Sequence, residues 1–197
     1  YIMKDKVILT DCDGVLVDWV HGFSKFMKRS GYIDTGTVSY DMEKKYGIDR
    51  AECKKLVTAF NESAYMRTLS PLGAAIKYVR KLHEEHGYVF RCITSMSLCP
   101  EAYKLRQQNL DALFGPTVFE ELICLDTGAD KDDALEQYRG SDLFWIEDKP
   151  MNADLGIQLG LDSILVAHAF NADYAGSAIR LQGWKAIYEY MTEGSVA

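Results

Sequence analysis

The sequence predicts an α/β protein in which a parallel sheet lies between two layers of helices and a small helical segment is inserted after the first strand. From residue 71 onward, short apolar runs alternate with helical patterns, which is typical of a parallel sheet covered on both faces. Residues 18–70 carry helical patterns and are too long for an ordinary crossover. We therefore expect an α/β core formed by residues 1–17 and 71–197 and a helical cap formed by residues 18–70.

The first strand is predicted at residues 6–10, Lys-Val-Ile-Leu-Thr, because this run is β-branched and apolar. Asp11 and Asp13 follow it and share one side of the extended chain, since strand side chains alternate. Cys12 faces the other side, so we interpret it as a core residue rather than a nucleophile. Gly14 permits a sharp turn. Alone, this stretch is as typical of a solvated acidic turn as of a catalytic site.

The cap begins with a helix over residues 19–30, which has apolar residues at helical spacing and ends at Gly31. Residues 31–48 have a mixed pattern. Asp49 resembles a helix N-cap, and Glu52 three residues later completes a capping box. The second cap helix therefore starts after Asp49.

We expect the cap to select the substrate. Its aromatic side chains could stack on a base or ring, although packing within a small helical cap is the more frequent role for any one of them. Arg67 could reach a phosphate, and a surface role is as frequent. The candidates that we single out are Trp19, Phe23, Tyr65 and Arg67, with Tyr40 and Phe60 as further aromatics.

The rest of the chain alternates regularly. Helices are predicted at residues 71–85, 101–114, 130–138, 152–159 and 177–191. Strands are predicted at residues 88–93, 121–125, 143–146 and 163–166, so the sheet should contain five strands in all.

Polar side chains occur near the carboxyl ends of these strands. Thr94 and Ser95 follow the second strand, Lys131 opens the helix after the third, and Glu147 and Asp148 end the fourth. Each has an ordinary alternative role in a turn or on a helix surface. In a parallel sheet, however, all of them converge with Asp11 and Asp13 on the edge where such folds bind ligands.

These residues together resemble the haloacid dehalogenase-like superfamily, over about residues 6–166. Its first motif is similar to residues 11–15, its second to residues 93–94, its third to Lys131, and its fourth to residues 146–153. The resemblance implies a three-layer Rossmann-like core. The position of the cap, between the first and second motifs, resembles that of the C1 subgroup.

A narrower resemblance is to the 5′(3′)-deoxyribonucleotidase-like branch of this superfamily. It rests on residues 13–18, 69–74 and 92–95. The sequence departs from that branch at Ala129, where the branch has an arginine two residues before the lysine of the third motif.

The resemblance implies a role for each site residue. Asp11 would attack phosphorus and form an aspartyl-phosphate. Asp13 would protonate the leaving oxygen and then deprotonate the attacking water, which predicts a raised pKa for its carboxyl. Thr94, Ser95 and Lys131 would bind the phosphate, and Lys131 would also hold the nucleophile.

A magnesium ion is the implied cofactor, since a cation must lie between an anionic ester and a carboxylate nucleophile. Magnesium prefers hard oxygen ligands. We expect these from Asp11, Asp148 and the backbone carbonyl of Asp13. Glu147 would orient Asp148 or the lysine from behind. Asn152 could act in the same way, although a helix N-cap is its more usual role.

The net charge of −7 and the lack of a Lys/Arg block argue against nucleic-acid polymers or an anionic membrane as the main partner. Five cysteines without a Cys-x-x-Cys pair indicate buried, reduced thiols in a cytoplasmic protein. We see no signal peptide and no membrane-spanning stretch. Met3 is a candidate for the natural start. A homodimer is one candidate for the oligomeric state.

The function predicted from these residues is a magnesium-dependent phosphomonoester hydrolase, acting as a nucleotidase on a nucleoside monophosphate. Asp13 favours phosphate chemistry over dehalogenation, because a halide needs no proton and the dehalogenase branch generally lacks this aspartate. One alternative is a sugar-phosphate phosphatase or mutase on the same scaffold. Another, from a different class, is a catalytically idle phosphate-binding scaffold protein.

Overall fold

A computed structural model describes residues 6–193, so the proposed start at Met3 lies outside the described residues. Its centre is a parallel sheet whose strands lie in the order β3-β2-β1-β4-β5-β6, which confirms the predicted α/β class. The strands are β1 Val7–Thr10, β2 Val89–Ser95, β3 Phe119–Leu125, β4 Phe144–Glu147, β5 Asp162–Val166 and β6 Ile179–Leu181.

Helices cover the sheet and fill the segment between β1 and β2. They are α1 Trp19–Arg29, α2 Met42–Tyr46, α3 Arg50–Asn61, α4 Ala75–Glu84, α5 Pro100–Phe114, α6 Asp132–Glu136, α7 Pro150–Gln158 and α8 Gly183–Glu193. Two short 3-10 helices occur at Ala64–Thr68 and Ala169–Asn171.

The sheet is buried on both faces. Ile8 belongs to one apolar cluster and its neighbour Leu9 to another, because successive strand residues point to opposite faces. Strands covered in this way read as continuous apolar runs, which is the pattern that identified them in the sequence.

The C-terminal segment differs from the prediction. The predicted helix over residues 177–191 is wrong in its first turns. Ile179–Leu181 instead forms a sixth strand, which pairs parallel with β5. Gly183, the first residue of α8, has a φ of +77°, so the chain turns between this strand and the helix. The buried face of that helix begins only at Trp184, so the apolar pattern is helical after the glycine and not before it.

The helical segment between β1 and β2 contains α1, α2, α3 and the first 3-10 helix. Asp49 caps α3 as predicted, since its side chain accepts a hydrogen bond of 2.8 Å from the backbone N–H of Glu52. Residues 42–46, in the region of mixed pattern, form the additional short helix α2.

The chain enters and leaves this helical segment at one place. The N–H of Asp18 donates to the carbonyl of Ser70, and the N–H of Leu72 donates to the carbonyl of Leu16, each over 2.9 Å. The two connecting stretches therefore lie side by side at the edge of the sheet where β1 ends.

All five cysteines carry free thiols. Cys12, Cys53 and Cys92 are buried as expected, whereas Cys99 and Cys124 are partly exposed. Within residues 6–193, no helix has both the length and the apolar character that crossing a membrane requires.

Candidate active site

The order of the strands brings the predicted site residues together. Strand β1 lies between β2 and β4, so Asp11, Thr94 and Asp148 leave the sheet at neighbouring carboxyl ends. Lys131 reaches the same edge from the residue that precedes α6. The convergence expected from the sequence is therefore present.

Lys131 is the cation at the centre of the site. Its Nζ lies 2.8 Å from Oδ1 of Asp11 and 2.7 Å from Oε1 of Glu147, and the residue is only 2% exposed. Burial on its own would lower the pKa of Lys131, but the charges of Asp11 and Glu147 raise it above its ordinary value. Lys131 is thus held protonated against the nucleophile candidate.

Glu147 is fully buried, and both of its oxygens are engaged. Oε1 accepts from Lys131 and, over 2.7 Å, from the side-chain amide of Asn152, while Oε2 accepts the N–H groups of Asp148 and Lys149. These interactions outweigh burial and lower its pKa, so it is ionised. Asn152 lies inside α7, which begins at Pro150, so its interpretation as the helix N-cap is wrong.

Gly14 packs directly against Asp148. A Cβ atom at Gly14 would lie 2.1 Å from Oδ2 of Asp148, and the glycine has a φ of +74°. Its carbonyl is 2.7 Å from Nε2 of His168, while Asn171 donates to the carbonyl of Asp148 over 2.9 Å. The aspartate is therefore fixed by a close backbone approach that a side chain at position 14 would prevent.

The carboxylates are suited to hold a divalent cation. Asp11, Glu147 and Asp148 each place an oxygen within 4.8 Å of the others. Because both oxygens of Glu147 already accept hydrogen bonds, Asp11 and Asp148 are the side chains available as ligands. Hard oxygen ligands of this kind suit Mg²⁺.

The net charge of the site side chains also favours binding of a divalent cation. When all four carboxylates are ionised they face two cationic side chains, which leaves two negative charges, the number that one Mg²⁺ offsets. Burial raises the pKa of Asp11 to about 7, and burial together with the charge of Glu147 raises that of Asp148. The six residues are Asp11, Asp13, Glu147, Asp148, Lys131 and Arg106.

Arg106 is a site residue that the sequence analysis missed. Its Nη2 lies 2.7 Å from Oδ1 and 2.9 Å from Oδ2 of Asp13, and its side chain is fully buried. The signal was its place on α5, four residues after Ala102 and four before Leu110, both of which are buried. Burial raises the pKa of Asp13, as predicted, although Arg106 opposes the shift.

The two hydroxyl candidates differ. Thr94 is 1% exposed at the end of β2, and its hydroxyl makes no hydrogen bond to another described side chain or backbone group. Ser95 donates to the carbonyl of Ala129 over 2.7 Å. Ser95 therefore fastens the loop that leads to Lys131, whereas no described protein group engages the hydroxyl of Thr94.

Three of the four candidates named in the helical segment, Trp19, Phe23 and Tyr65, make ring and hydrogen-bond contacts within that segment. Phe23 is fully buried and stacks on Trp19 with ring centroids 4.7 Å apart, while the indole N–H of Trp19 donates to Asn61. Tyr65 accepts a hydrogen bond from Arg29, and Arg67 is exposed. These aromatic rings pack chiefly on one another, the alternative that the sequence analysis gave as more frequent.

Tyr40, in the helical segment between β1 and β2, lies close enough to the carboxylates for their charges to act on its hydroxyl, although 46% of the residue is exposed. Burial, followed by the negative charges of Asp148, Glu147, Asp11 and Asp13, raises its pKa well above the usual value. Its ring packs edge-on against Phe170 at 5.4 Å, and Phe170 stacks on His168 at 5.1 Å with an angle of 8° between planes. We call these three residues the aromatic wall.

We expect the free energy of unfolding of the metal-free protein to fall as pH rises from about 4 to about 7. The pKa of Asp11 is about 7 in the folded state, against about 3.9 in an unfolded chain. Between these values the folded state binds more protons, so stability decreases with pH. Urea denaturation in EDTA at several pH values measures this slope.

The Asp11→Asn variant is the control for that titration, because it removes the ionisable group at the same position. It should show a smaller decrease in stability over this range. Equal slopes for the two proteins would contradict the assignment of the raised pKa to Asp11.

No family model matches this chain. A curated protein from Enterobacteria phage T4, the uncharacterized 32.4 kDa protein in the Gp30-rIII intergenic region, is 30% identical over 124 residues. The match covers 59% of this chain and 44% of that protein, so the chain spans less than half the length of the relative it matches.

Solved structures show the same fold at low sequence identity. A predicted phosphatase from Clostridium acetobutylicum has a TM-score of 0.69 and 16% identity, over 95% of this chain and 98% of that one. A haloacid dehalogenase-like hydrolase from Streptococcus pneumoniae gives 0.66 and 16%, over 94% and 98%.

A third solved structure carries a ligand. CbbY from Rhodobacter sphaeroides, in complex with phosphate, gives a TM-score of 0.58 and 16% identity over 91% of this chain and 94% of that one. A mutant of CbbY was solved with xylulose-(1,5)bisphosphate. These likenesses establish the haloacid dehalogenase-like fold for this chain.

Proposed function

We propose that this protein is a magnesium-dependent phosphomonoester hydrolase in which Asp11 is the nucleophile. The observation that carries the proposal is the ion pair of buried Asp11 with Lys131, beside Asp148 and Asp13 at adjoining strand ends. Mg²⁺, when bound by Asp11, Asp148 and the carbonyl of Asp13, would offset the repulsion between an anionic ester and the carboxylates.

The reaction divides into two displacements. An oxygen of Asp11 attacks phosphorus, the bond from phosphorus to the ester oxygen breaks, and Asp13 gives that oxygen its proton, releasing an alcohol. Water then attacks the aspartyl-phosphate, Asp13 takes the proton back, and inorganic phosphate leaves with Asp11 restored.

Other side chains position these groups. Lys131 donates to Oδ1 of Asp11, which leaves the other carboxylate oxygen to attack phosphorus, and its positive charge would offset the negative charge of the phosphoryl oxygens in the transition state. The hydroxyl of Thr94 can donate to a phosphoryl oxygen. Glu147 and Asn152 hold Lys131 and the backbone of residue 148 in place, from outside the reacting atoms.

Asp13 also bears on the choice between the reactions that this fold hosts. A halide leaves without a proton, whereas an alkoxide needs one. A carboxyl with a raised pKa two residues after the nucleophile therefore favours phosphate ester hydrolysis over dehalogenation.

For the substrate we propose a nucleoside monophosphate. The aromatic wall of Tyr40, Phe170 and His168 lies near the carboxylates, since His168 contacts the carbonyl of Gly14 beside Asp148, and Tyr40, which is 46% exposed, could stack on a base. A sugar phosphate is the second candidate, because the neighbouring fold of CbbY holds a sugar bisphosphate. The five free thiols support a cytoplasmic location within this proposal.

A panel of phosphomonoesters tests the substrate. With Mg²⁺ we expect kcat/KM for nucleoside 5′-monophosphates to exceed that for sugar phosphates by at least about tenfold, because stacking on aromatic side chains contributes roughly 1–3 kcal/mol per base. EDTA should abolish turnover of both. A higher kcat/KM for sugar phosphates would overturn the nucleotide assignment alone.

An idle scaffold would behave differently in the same panel. It would bind phosphate esters with Mg²⁺ present and hydrolyse none of them, p-nitrophenyl phosphate included. That result would contradict the proposed enzymatic function as a whole.

A further inference from the structure

We infer that Arg106 is a positioning residue for proton transfer, whose guanidinium holds the Asp13 carboxyl in the orientation from which it protonates the leaving oxygen. This inference rests on the proposed function. It assigns to α5, which lies outside the four motifs of the sequence, a direct influence on one of the two chemical steps.

The first support is the contact itself. A single nitrogen of Arg106, Nη2, lies within 2.9 Å of both oxygens of Asp13. Nε of Arg106 donates to the sulfur of Met96 over 3.3 Å. Among residues 6–193, Asp13 is the only carboxylate that forms an ion pair with Arg106. The guanidinium is thus dedicated to one partner.

The second support is that stability alone does not account for the pair. Nη1 of Arg106 is buried without a hydrogen-bond partner among the described residues. Removing an arginine from water to pair it with one carboxylate costs about as much as the pair returns, and replacing both members of such a buried pair by apolar side chains is often neutral or stabilising. Position 106 lies on the buried face of α5, between buried Ala102 and Leu110, so the helix surface around the guanidinium is apolar.

The third support is the rigidity of the helix that carries Arg106. Asn109, almost one turn further along α5, donates to the carbonyls of Arg67 and Leu69 over 3.3 and 3.0 Å. Helix α5 is therefore fastened to the end of the helical segment while Arg106 reaches the end of β1. A planar guanidinium on such a helix fixes a carboxylate more closely than a flexible ammonium does.

The fourth support is the competing cation. Lys131 also attracts Asp13, since its charge acts on that carboxyl. Without Arg106, Lys131 would be the remaining cation whose charge acts on the Asp13 carboxyl. The two cations are divided between the two aspartates, with Lys131 on Asp11 and Arg106 on Asp13.

The test compares two esters that differ in their need for a proton. p-Nitrophenolate leaves unprotonated, whereas the alkoxide of a nucleoside 5′-monophosphate does not. With Mg²⁺, Arg106→Met should lower kcat/KM for the nucleotide about 10²-fold, the usual contribution of general acid catalysis. It should change kcat/KM for p-nitrophenyl phosphate by less than about threefold, because kcat/KM reports only the steps up to release of the leaving group, and hydrolysis of the aspartyl-phosphate, in which Asp13 acts for both esters, lies after them.

Controls separate positioning from folding. Lys104→Met, on the exposed side of the same helix, should leave both rates unchanged. Arg106→Lys should recover part of the nucleotide turnover, because it keeps a cation. In the Asp13→Asn background, neither Arg106→Met nor Arg106→Lys should lower the nucleotide rate further, since residues that act through one another are not additive. The lysine variant serves for this comparison if the methionine variant does not fold.

The outcomes distinguish the two levels of the argument. An equal loss on both esters, or a further loss in the Asp13→Asn background, would overturn the role of Arg106 and leave the phosphatase intact. An unchanged nucleotide rate in Arg106→Met would do the same. If the parent protein hydrolysed neither ester, the proposed function would fail, and this inference with it.

Discussion

Asp11→Asn should reduce phosphatase activity by about 10³-fold or more in saturating Mg²⁺, whichever ester is used. The amide cannot attack phosphorus as a carboxylate does, and it also removes one charged metal ligand. The measurement is steady-state kcat for p-nitrophenyl phosphate and for the best substrate of the panel.

The Asp11→Asn variant should remain folded, because Lys131 keeps its second ion pair, with Glu147 at 2.7 Å. A urea denaturation curve with a single cooperative transition would show this. Asp173→Asn, an exposed aspartate outside the site, is the matched control and should retain full activity. Retention of activity by Asp11→Asn would exclude the covalent mechanism.

Lys131→Met should damage both activity and stability. The loss of one preorganised charge typically lowers the rate about 10²–10³-fold. Lys131 is also buried between Asp11 and Glu147, and removing one partner of a buried ion pair costs about 3–5 kcal/mol. Kinetics and urea denaturation in EDTA measure the two effects.

Mg²⁺ gives this prediction a second readout. With its four carboxylates ionised, the site of the variant has an excess of three negative charges, against two in the parent. Mg²⁺ should therefore stabilise the variant more than it stabilises the parent. Lys185→Met, at an exposed position on α8, controls for the loss of a lysine. A variant as stable as the parent in EDTA would show that Lys131 does not compensate the buried carboxylates.

Much of the core could be predicted from the sequence, because strands buried on both faces leave continuous apolar runs. The polar residues after those runs then indicated which edge of the sheet carries the chemistry. Ile179–Leu181 escaped prediction because a three-residue strand at the edge of the sheet is partly exposed and has no such run.

The rest of the site was hidden for other reasons. Arg106 contacts Asp13 across 93 positions of sequence, and only tertiary packing decides which buried cation meets which aspartate. Tyr40 lies in a stretch without regular periodicity, so nothing in the pattern distinguished it from the rings that pack inside the cap. Sequence periodicity reports which face of an element is buried, not what that face contacts.

The pairing of residues 16–18 with residues 70–72 closes the helical segment at its base. Backbone hydrogen bonds of 2.9 Å hold its two ends together, so the segment is a closed loop. The entropy of closing a loop grows only with the logarithm of its length. A change in the length of the segment between the same two ends should therefore alter this entropy little, while the sheet holds Asp11, Lys131 and Asp148 in place.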